Sequence, residues 1–307
     1  MSHFGVLGAG LIGQSWTALF LAHGHRVSVV DPRPETAREV DEFVARAWPN
    51  LQALGLTQAA TPAKATVSTD MKTLKDIDFV QENGPDRIEV KQALMGELEQ
   101  VIAPDVIVAS STSSLMASDI QAHMQAPERL LVAHPMNPPH MVAMVEMVAG
   151  RLTTEQTVDR AETIYRALNR VPIRVRKEVP GHLANRLTAA LYREAVHMVA
   201  EGIADVADID RAIAYGPGMR WAFMGPHLTY HLGGGPGGYR HYLDHLGPTQ
   251  EARWRELGQS ALDAPLKDQL VAEMDAILSA MPDADTLQQR RDAALVALAG
   301  IKKNHGF

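Results

Sequence analysis

The pattern of apolar and polar positions changes character once along the chain. Over the first 180 residues, short apolar runs of strand length alternate with longer segments of helical spacing. Residues 4–7 read as a buried strand, glycines follow, and residues 11–23 have the spacing of a helix. Residues 26–30 form a second apolar strand that ends in Asp31. A strand, a helix and a strand of these lengths predict a right-handed crossover unit. The alternation continues with helical spacing over 34–56, a strand over 78–80 that runs into Gln81-Glu82-Asn83-Gly84, and helical spacing over 86–102. A β-branched strand over 106–109 ends in Ser110-Ser111-Thr112-Ser113-Ser114. Another over 130–133 ends at His134-Pro135, and apolar segments over 145–148 and 171–175 complete a sheet. Strands alternating with helices predict an α/β architecture with a parallel, doubly wound sheet.

Past Val179-Pro180-Gly181 the strand signals nearly vanish. Leu183, Leu187, Leu191, Val196, Val199 and Ile203 recur at helical spacing. More helical stretches lie over 208–214, 261–280 and 284–302, with a glycine-rich interruption over 233–238. The expectation is two domains, 1–180 and 181–307, the second all-helical. Its long apolar helices offer more apolar face than a small domain can bury alone, which predicts a homodimer.

Composition narrows the classes of function. With 46% apolar residues in 307, the chain can bury two cores. The net charge, 29 − 36 = −7, disfavours nucleic acid as the main partner. There is no cysteine, so disulfides, thiolate nucleophiles and thiolate metal sites are excluded. No basic segment precedes the first apolar run and no apolar run reaches membrane length. A soluble, cytoplasmic enzyme is the expectation, with a small-molecule substrate and no membrane partner.

The first turn carries the cofactor chemistry. Gly8-Ala9-Gly10-Leu11-Ile12-Gly13 fits G-x-G-x-x-G, follows a strand, opens a helix, and has an acid, Asp31, eighteen positions beyond its last glycine. In that context Gly8 permits the turn, Gly10 lets a pyrophosphate approach the backbone, and Gly13 lets helix pack on strand. The helix start presents N–H groups and a positive dipole end to the phosphates. Asp31 accepts hydrogen bonds from ribose hydroxyls and repels a 2′-phosphate, so the reading is a Rossmann domain that binds NAD, with Arg33 the one nearby feature favouring NADP.

Ligands of such sheets sit outside the carboxyl ends of the strands. Glu82, the run 110–114 and His134 are therefore the candidates for chemistry. A dehydrogenase needs a base for the hydroxyl proton, and histidine has the right pKa near neutrality. Glu146 lies in the apolar run Met144-Val145-Glu146-Met147-Val148, where a carboxylate wants a partner. Pairing with the imidazole would fix its tautomer and stabilise the imidazolium. The alternatives are a satisfied histidine at a strand end and an edge-strand acid facing water.

Several motifs together resemble one family. His134-Pro135-Met136-Asn137-Pro138 with the later Val145-Glu146, the serine-rich 111–115, and Pro180-Gly181-His182-Leu183-Ala184-Asn185-Arg186 resemble, in order and spacing, signatures of the 3-hydroxyacyl-CoA dehydrogenase superfamily. The resemblance spans essentially the whole chain. It implies that His134 is the general base oriented by Glu146, that Ser113 and Asn185 hydrogen-bond the reacting oxygen, that Glu82 sits near the nicotinamide ribose, and that Lys91 touches cofactor or substrate. Ser111 stands where the family often has Asn, and His182 where it often has Phe. The segment over 216–226, with Arg220, Trp221 and Phe223, and the run Leu228-Thr229-Tyr230 resemble the L-carnitine dehydrogenase and lambda-crystallin (L-gulonate 3-dehydrogenase) branch, which implies a free short L-3-hydroxy acid as substrate. Residues 47–63 contain no Lys or Arg to hold CoA phosphates. A short-chain CoA thioester is the alternative substrate. Arg220 is a carboxylate anchor or a surface ion pair. Trp221 and Tyr230 line a cation cage or pack in a core. In this branch Met136 and His140 replace aromatic residues, which leaves the substrate tail open. The pairs His227/His231 and His241/His245 have metal-compatible spacing but no convergent third ligand, so no metal is expected.

Overall fold

The computed structural model describes residues 1–307 and divides into two compact units, Met1–Arg186 and Leu187–Phe307. The first unit is built on one sheet of eight strands. In chain order its elements are β1 (His3–Leu7), α1 (Leu11–Ala22), β2 (Arg26–Val30), α2 (Thr36–Ala53), β3 (Thr66–Ser68), β4 (Phe79–Glu82), α3 (Ile88–Glu99), β5 (Ile107–Ser110), a short α4 (Ala117–Ile120), β6 (Leu130–Pro135), β7 (Met144–Ala149), α5 (Glu155–Ala167) and β8 (Val171–Val175). The sheet order is β3-β2-β1-β4-β5-β6-β7-β8. It reverses direction about β1, which places a crevice at the carboxyl ends of β1 and β4.

The central strands are buried on both faces, as their near-continuous apolar runs require. Val6, Val29, Phe79, Ala109, Leu131 and Ala133 face one core together with Trp16, Phe20 and Tyr165. Leu7, Val30, Val80, Val108, Leu130 and Val132 face the other, under α3 and α4. Successive residues alternate between the two cores because strand side chains alternate with period two.

One expectation fails in an instructive place. The sheet is not parallel throughout: β7 runs antiparallel to β6, and β8 is parallel to β7. Parallel neighbours need a long crossover, usually a helix, whereas residues 136–143 are a short loop. The chain therefore turns straight back, and the register sets His134 directly opposite Glu146. The three-residue β3 is too short to leave an apolar signature and is not legible in the sequence.

The second unit holds the body of α6 (Ala184–Ala200), then α7 (Val206–Tyr215), α8 (Pro217–Trp221), α9 (Pro226–Gly233), α10 (Gly238–Glu256), α11 (Ala264–Ser279) and α12 (Ala284–His305), with no strand. Its buried cluster is small: Val196, Val199, Ile209 and Leu266. The 22-residue α12 buries none of its side chains. No helix of the chain is long and apolar enough to cross a membrane.

Candidate active site

The glycine turn has the geometry that its residues dictate. Gly8 has φ +86°, and a Cβ there would meet the Asn83 carbonyl at 2.9 Å. A Cβ on Gly13 would lie 2.0 Å from the Gly8 carbonyl oxygen. These two positions admit only glycine. Gly10 differs, since a Cβ there would meet no protein atom within 4 Å. Nothing in the protein requires the small residue, and the open space fits the close approach of a ligand to the backbone. Gly10 is also the N-cap of α1 and no side chain caps the helix, so its first N–H groups are available to an anion. The exposed Leu11 sits beside them.

Asp31, at the end of β2, closes the other side of the turn. One oxygen, Oδ2, accepts from the Ala9 N–H at 2.8 Å. The other, Oδ1, accepts from the Arg33 N–H at 3.1 Å, Arg33 Nε at 3.0 Å and the Thr36 hydroxyl at 3.0 Å. Burial works to raise its pKa, but these donors outweigh it and hold the carboxyl below the usual range. An ionised acid thus stands beside the glycine turn.

At the carboxyl ends of β4, β5 and β6 lies a cavity of about 350 Å³. Ile12, Asn83, Asp86, Lys91, Ser113, His134, Met136 and Asn185 are among the residues of its wall. His134 Nδ1 lies 2.8 Å from Glu146 Oε2 across the β6–β7 pair. The carboxylate can only accept, so Nδ1 carries hydrogen and Nε2 is left as the basic atom. Glu146 is fully buried, and its second oxygen, Oε1, accepts from the Leu183 and Ala184 N–H groups, each at 2.8 Å, at the start of α6. Burial pushes the Glu146 pKa up, yet His134 and the two N–H donors bring it below its ordinary 4.5. The site therefore holds a buried, ionised carboxylate with all its partners in place.

The serine run is tied down from two sides. The Asn185 Nδ2 donates to the Ser113 carbonyl at 3.2 Å. Asp86, which the sequence did not single out, accepts from the Thr112 hydroxyl, from Ser113 N–H at 3.0 Å, from Ser113 Oγ at 2.9 Å and from Ser114 Oγ at 3.3 Å. Burial raises its pKa, but the hydroxyls and the N–H prevail and lower it. Ser113 therefore spends its hydroxyl hydrogen on Asp86. Its oxygen lone pairs remain for a ligand, and Asn185 has a second amide hydrogen to donate.

Glu82 and Lys91 form a fully buried pair. Lys91 Nζ donates to Glu82 Oε1 at 2.8 Å, to Oε2 at 2.9 Å and to the Gly84 carbonyl at 3.1 Å. Glu82 also accepts from Gly84 N–H at 2.6 Å and Ser110 Oγ at 2.5 Å. All three ammonium hydrogens are thus used within the protein. Lys91 braces the turn over 82–84 and is part of the cavity wall. Behind it, Ser111 donates to Asn83 Oδ1 at 2.7 Å and receives Gln81 Nε2 at 2.9 Å, while the buried Tyr165 hydroxyl donates to Gln81 Oε1 at 2.6 Å. This chain carries the rigidity of the core to the cavity.

The loop over 136–143 is held by two further groups that the sequence did not reveal. Arg170 is buried, and its NH1 donates to the Pro139 carbonyl at 2.8 Å. Burial without a carboxylate lowers its pKa to about 10. Ser15 on α1 bonds His140 Nδ1 at 2.7 Å and accepts the His140 N–H at 3.0 Å. Arg170 follows Asn169 and carries no mark in the sequence, whereas His140 was visible only as a residue standing where relatives have an aromatic one.

The three other candidates belong to the second unit. Arg220 and Trp221 lie on α8, and Tyr230 on α9 stacks on Tyr242 with centroids 4.4 Å apart. Also in that unit, the Tyr239 hydroxyl pairs with His227 Nδ1 at 2.8 Å, and His231 Nδ1 accepts the Tyr239 N–H.

The family model described as "3-hydroxyacyl-CoA dehydrogenase, NAD binding domain" matches residues 3–179, and "3-hydroxyacyl-CoA dehydrogenase, C-terminal domain" matches residues 181–270. The chain is similar to L-carnitine dehydrogenase of Nocardiopsis dassonvillei, 42% identical over 95% of this chain and 89% of that protein. It is similar to L-carnitine dehydrogenase of Burkholderia mallei, 42% identical over 99% and 96%. Among solved structures it resembles 5-formyl-3-hydroxy-2-methylpyridine 4-carboxylic acid 5-dehydrogenase, an NAD⁺ dependent dismutase, with a TM-score of 0.84, 27% identity and 99% of both chains covered. It also resembles FadB2 of M. tuberculosis, with a TM-score of 0.66, 25% identity, and 89% of this chain and 94% of that one covered.

Proposed function

The chain belongs to the 3-hydroxyacyl-CoA dehydrogenase family, and from that premise we propose that it oxidises a free short L-3-hydroxy acid of the carnitine type to the 3-keto acid. It is an NAD-dependent oxidoreductase. The observation that carries the reading is the His134–Glu146 pair in a cavity wall that also holds Ser113 and Asn185. The relatives named L-carnitine dehydrogenase, similar over nearly the whole chain, favour a free acid over a thioester.

The residues have distinct tasks. NAD, when bound, supplies the hydride acceptor. Asp31 and the open backbone at Gly10 hold its adenosine and phosphate parts. His134 Nε2 takes the hydroxyl proton of the substrate. Glu146 keeps the imidazole in the tautomer that can accept it and stabilises the resulting imidazolium. Asn185 donates to the reacting oxygen, and Ser113, its own hydrogen committed to Asp86, keeps the turn that faces it in place. Glu82 and Lys91 keep the floor of the site rigid.

The second unit pairs with a second copy of the chain. Leu187, Tyr215 and Trp254 are exposed, and α12 buries nothing, so a partner covers apolar surface that the unit leaves open. A monomer by sedimentation at micromolar concentration would sink this. The enzyme works in the cytoplasm, where NAD is regenerated. The test of function is NADH formation with L-carnitine, L-gulonate, 3-hydroxybutyrate and 3-hydroxybutyryl-CoA side by side. Turnover of the thioester with none of the free acids would overturn the substrate class.

A further inference from the structure

His182 is the second imidazole of the site. It follows Gly181 in the turn before α6, with φ +51° and a side chain almost wholly buried. A non-glycine residue enters that backbone region at a cost, so packing must hold it there. Its ring centroid is 5.4 Å from that of His134, tilted by 47°. Its Nε2 lies 3.2 Å from the Thr112 carbonyl oxygen. That oxygen can only accept, so Nε2 bears hydrogen. Its Nδ1 is buried and has no partner. A proton added to Nδ1 would make a buried donor with nothing to bind, on a cation beside the base.

The charged or titratable groups facing His182 are His134 from β6, Glu146 from β7 and Asp86 from the segment after β4. The hydrogen bond to the Thr112 carbonyl and the two carboxylates favour its protonation. Burial first, and then His134, oppose it and bring its pKa below the ordinary 6.5.

We infer that His182 is a positioning residue for proton transfer at His134: its Nε2–H fixes the Thr112 carbonyl, and with it the turn that carries Ser113. The phenylalanine that stands here in much of the family can fill the space but cannot hold a carbonyl. In this chain the turn is thus tied at three points: Asp86 below, Asn185 on the Ser113 carbonyl and His182 on the Thr112 carbonyl. The inference rests on His134 being the base.

The test compares wild type, His182→Gln and His182→Phe with whichever 3-hydroxy acid is turned over, measuring kcat, KM and NADH affinity. Glutamine can donate to the Thr112 carbonyl but cannot titrate. Phenylalanine can do neither. His182→Phe is expected to lower kcat about tenfold, the rate equivalent of one ordinary hydrogen bond, with NADH affinity unchanged. His182→Gln should recover most of that loss. A wild-type rate in His182→Phe, or a glutamine variant no better than phenylalanine, would overturn the inference. Should His182→Phe not fold, His182→Leu takes its place, and a wild-type rate there overturns the inference equally. Failure of the base reading would show separately, as turnover surviving in His134→Gln whatever the His182 variants do.

Discussion

Replacing Glu146 by glutamine is the sharpest test of the site, because the structure gives that carboxylate two tasks at once. One oxygen holds His134 Nδ1–H at 2.8 Å, and the other accepts two backbone N–H groups at the start of α6. A carboxamide has one accepting oxygen. If that oxygen stays on the Leu183 and Ala184 N–H groups, the NH₂ end faces His134 and selects the tautomer with hydrogen on Nε2. That ring cannot accept the substrate proton. The expected loss in kcat is roughly 10³–10⁴-fold, the scale seen when an orienting acid becomes its amide and the tautomer is wrong. If the amide turns the other way, the two N–H groups lose their acceptor and stability falls by about 1–3 kcal/mol. NAD affinity should not change, since the turn at Gly8 to Gly13 and Asp31 is untouched. Steady-state kinetics, NADH titration and thermal melts separate these outcomes. The sign of the pH effect also follows. The Glu146 pKa is depressed in the folded chain, so its contribution to stability is complete above the ordinary 4.5 and is lost as pH falls through the lower folded value. The variant should lack that part of the acid-side decline. Turnover within about threefold of wild type would refute the assignment of Glu146 as the group that orients the base.

Three further outcomes are expected. His134→Gln should lower kcat by about 10²–10⁴-fold with NADH binding intact, and a near-normal rate would remove it as the base. Gly10→Ala and Gly13→Ala should part company. The first adds a Cβ where no protein atom lies within 4 Å, so its melting temperature should hold while NADH affinity drops; the second drives a Cβ to 2.0 Å from a carbonyl oxygen, so its melting temperature should fall. Equal melting temperatures for the two would contradict the packing described. Asp31→Ser should free Arg33 Nε, now 3.0 Å from the carboxylate, and shift the preference between NAD and NADP toward NADP by about tenfold or more. An unchanged ratio of kcat/KM values would show that Asp31 does not select the cofactor.

The sequence made some of this legible and hid the rest for physical reasons. Strands β1 and β2 and the turn after β1 are dictated locally, by apolar runs and by Gly8 and Gly13, which no other residue could replace. His134 and Glu146 stood out as polar residues in apolar surroundings, and they face each other across β6 and β7. What could not be read was the direction of β7. Its apolar pattern suits either sense, and only the shortness of the loop before it decides. Asp86 was invisible for another reason. It sits in a polar stretch where an aspartate is unremarkable, and its partners lie 26 to 28 residues away. The partners of Lys91 were equally hidden: its ammonium is held by Glu82 and by the Gly84 carbonyl, nine and seven residues away. His182 was visible only as a departure from the family, and its neighbour His134 is 48 positions earlier in the chain.

The turnback between β6 and β7 has a consequence for how such a site can change. Base and orienting acid are locked by strand register, and a slip of one residue in either strand would turn every side chain to the opposite face. Insertions and deletions in the strands are therefore lethal to the chemistry. Within the loop over 136–143, Pro139 and His140 are held by Arg170 and Ser15. Met136 and Asn137 contribute to the cavity while the ladder behind them keeps His134 and Glu146 paired. Side-chain changes at these two positions reshape the cavity wall without moving the pair. An engineer seeking new substrates, like a lineage drifting toward them, has its freedom at those two positions and almost none in the strands on either side.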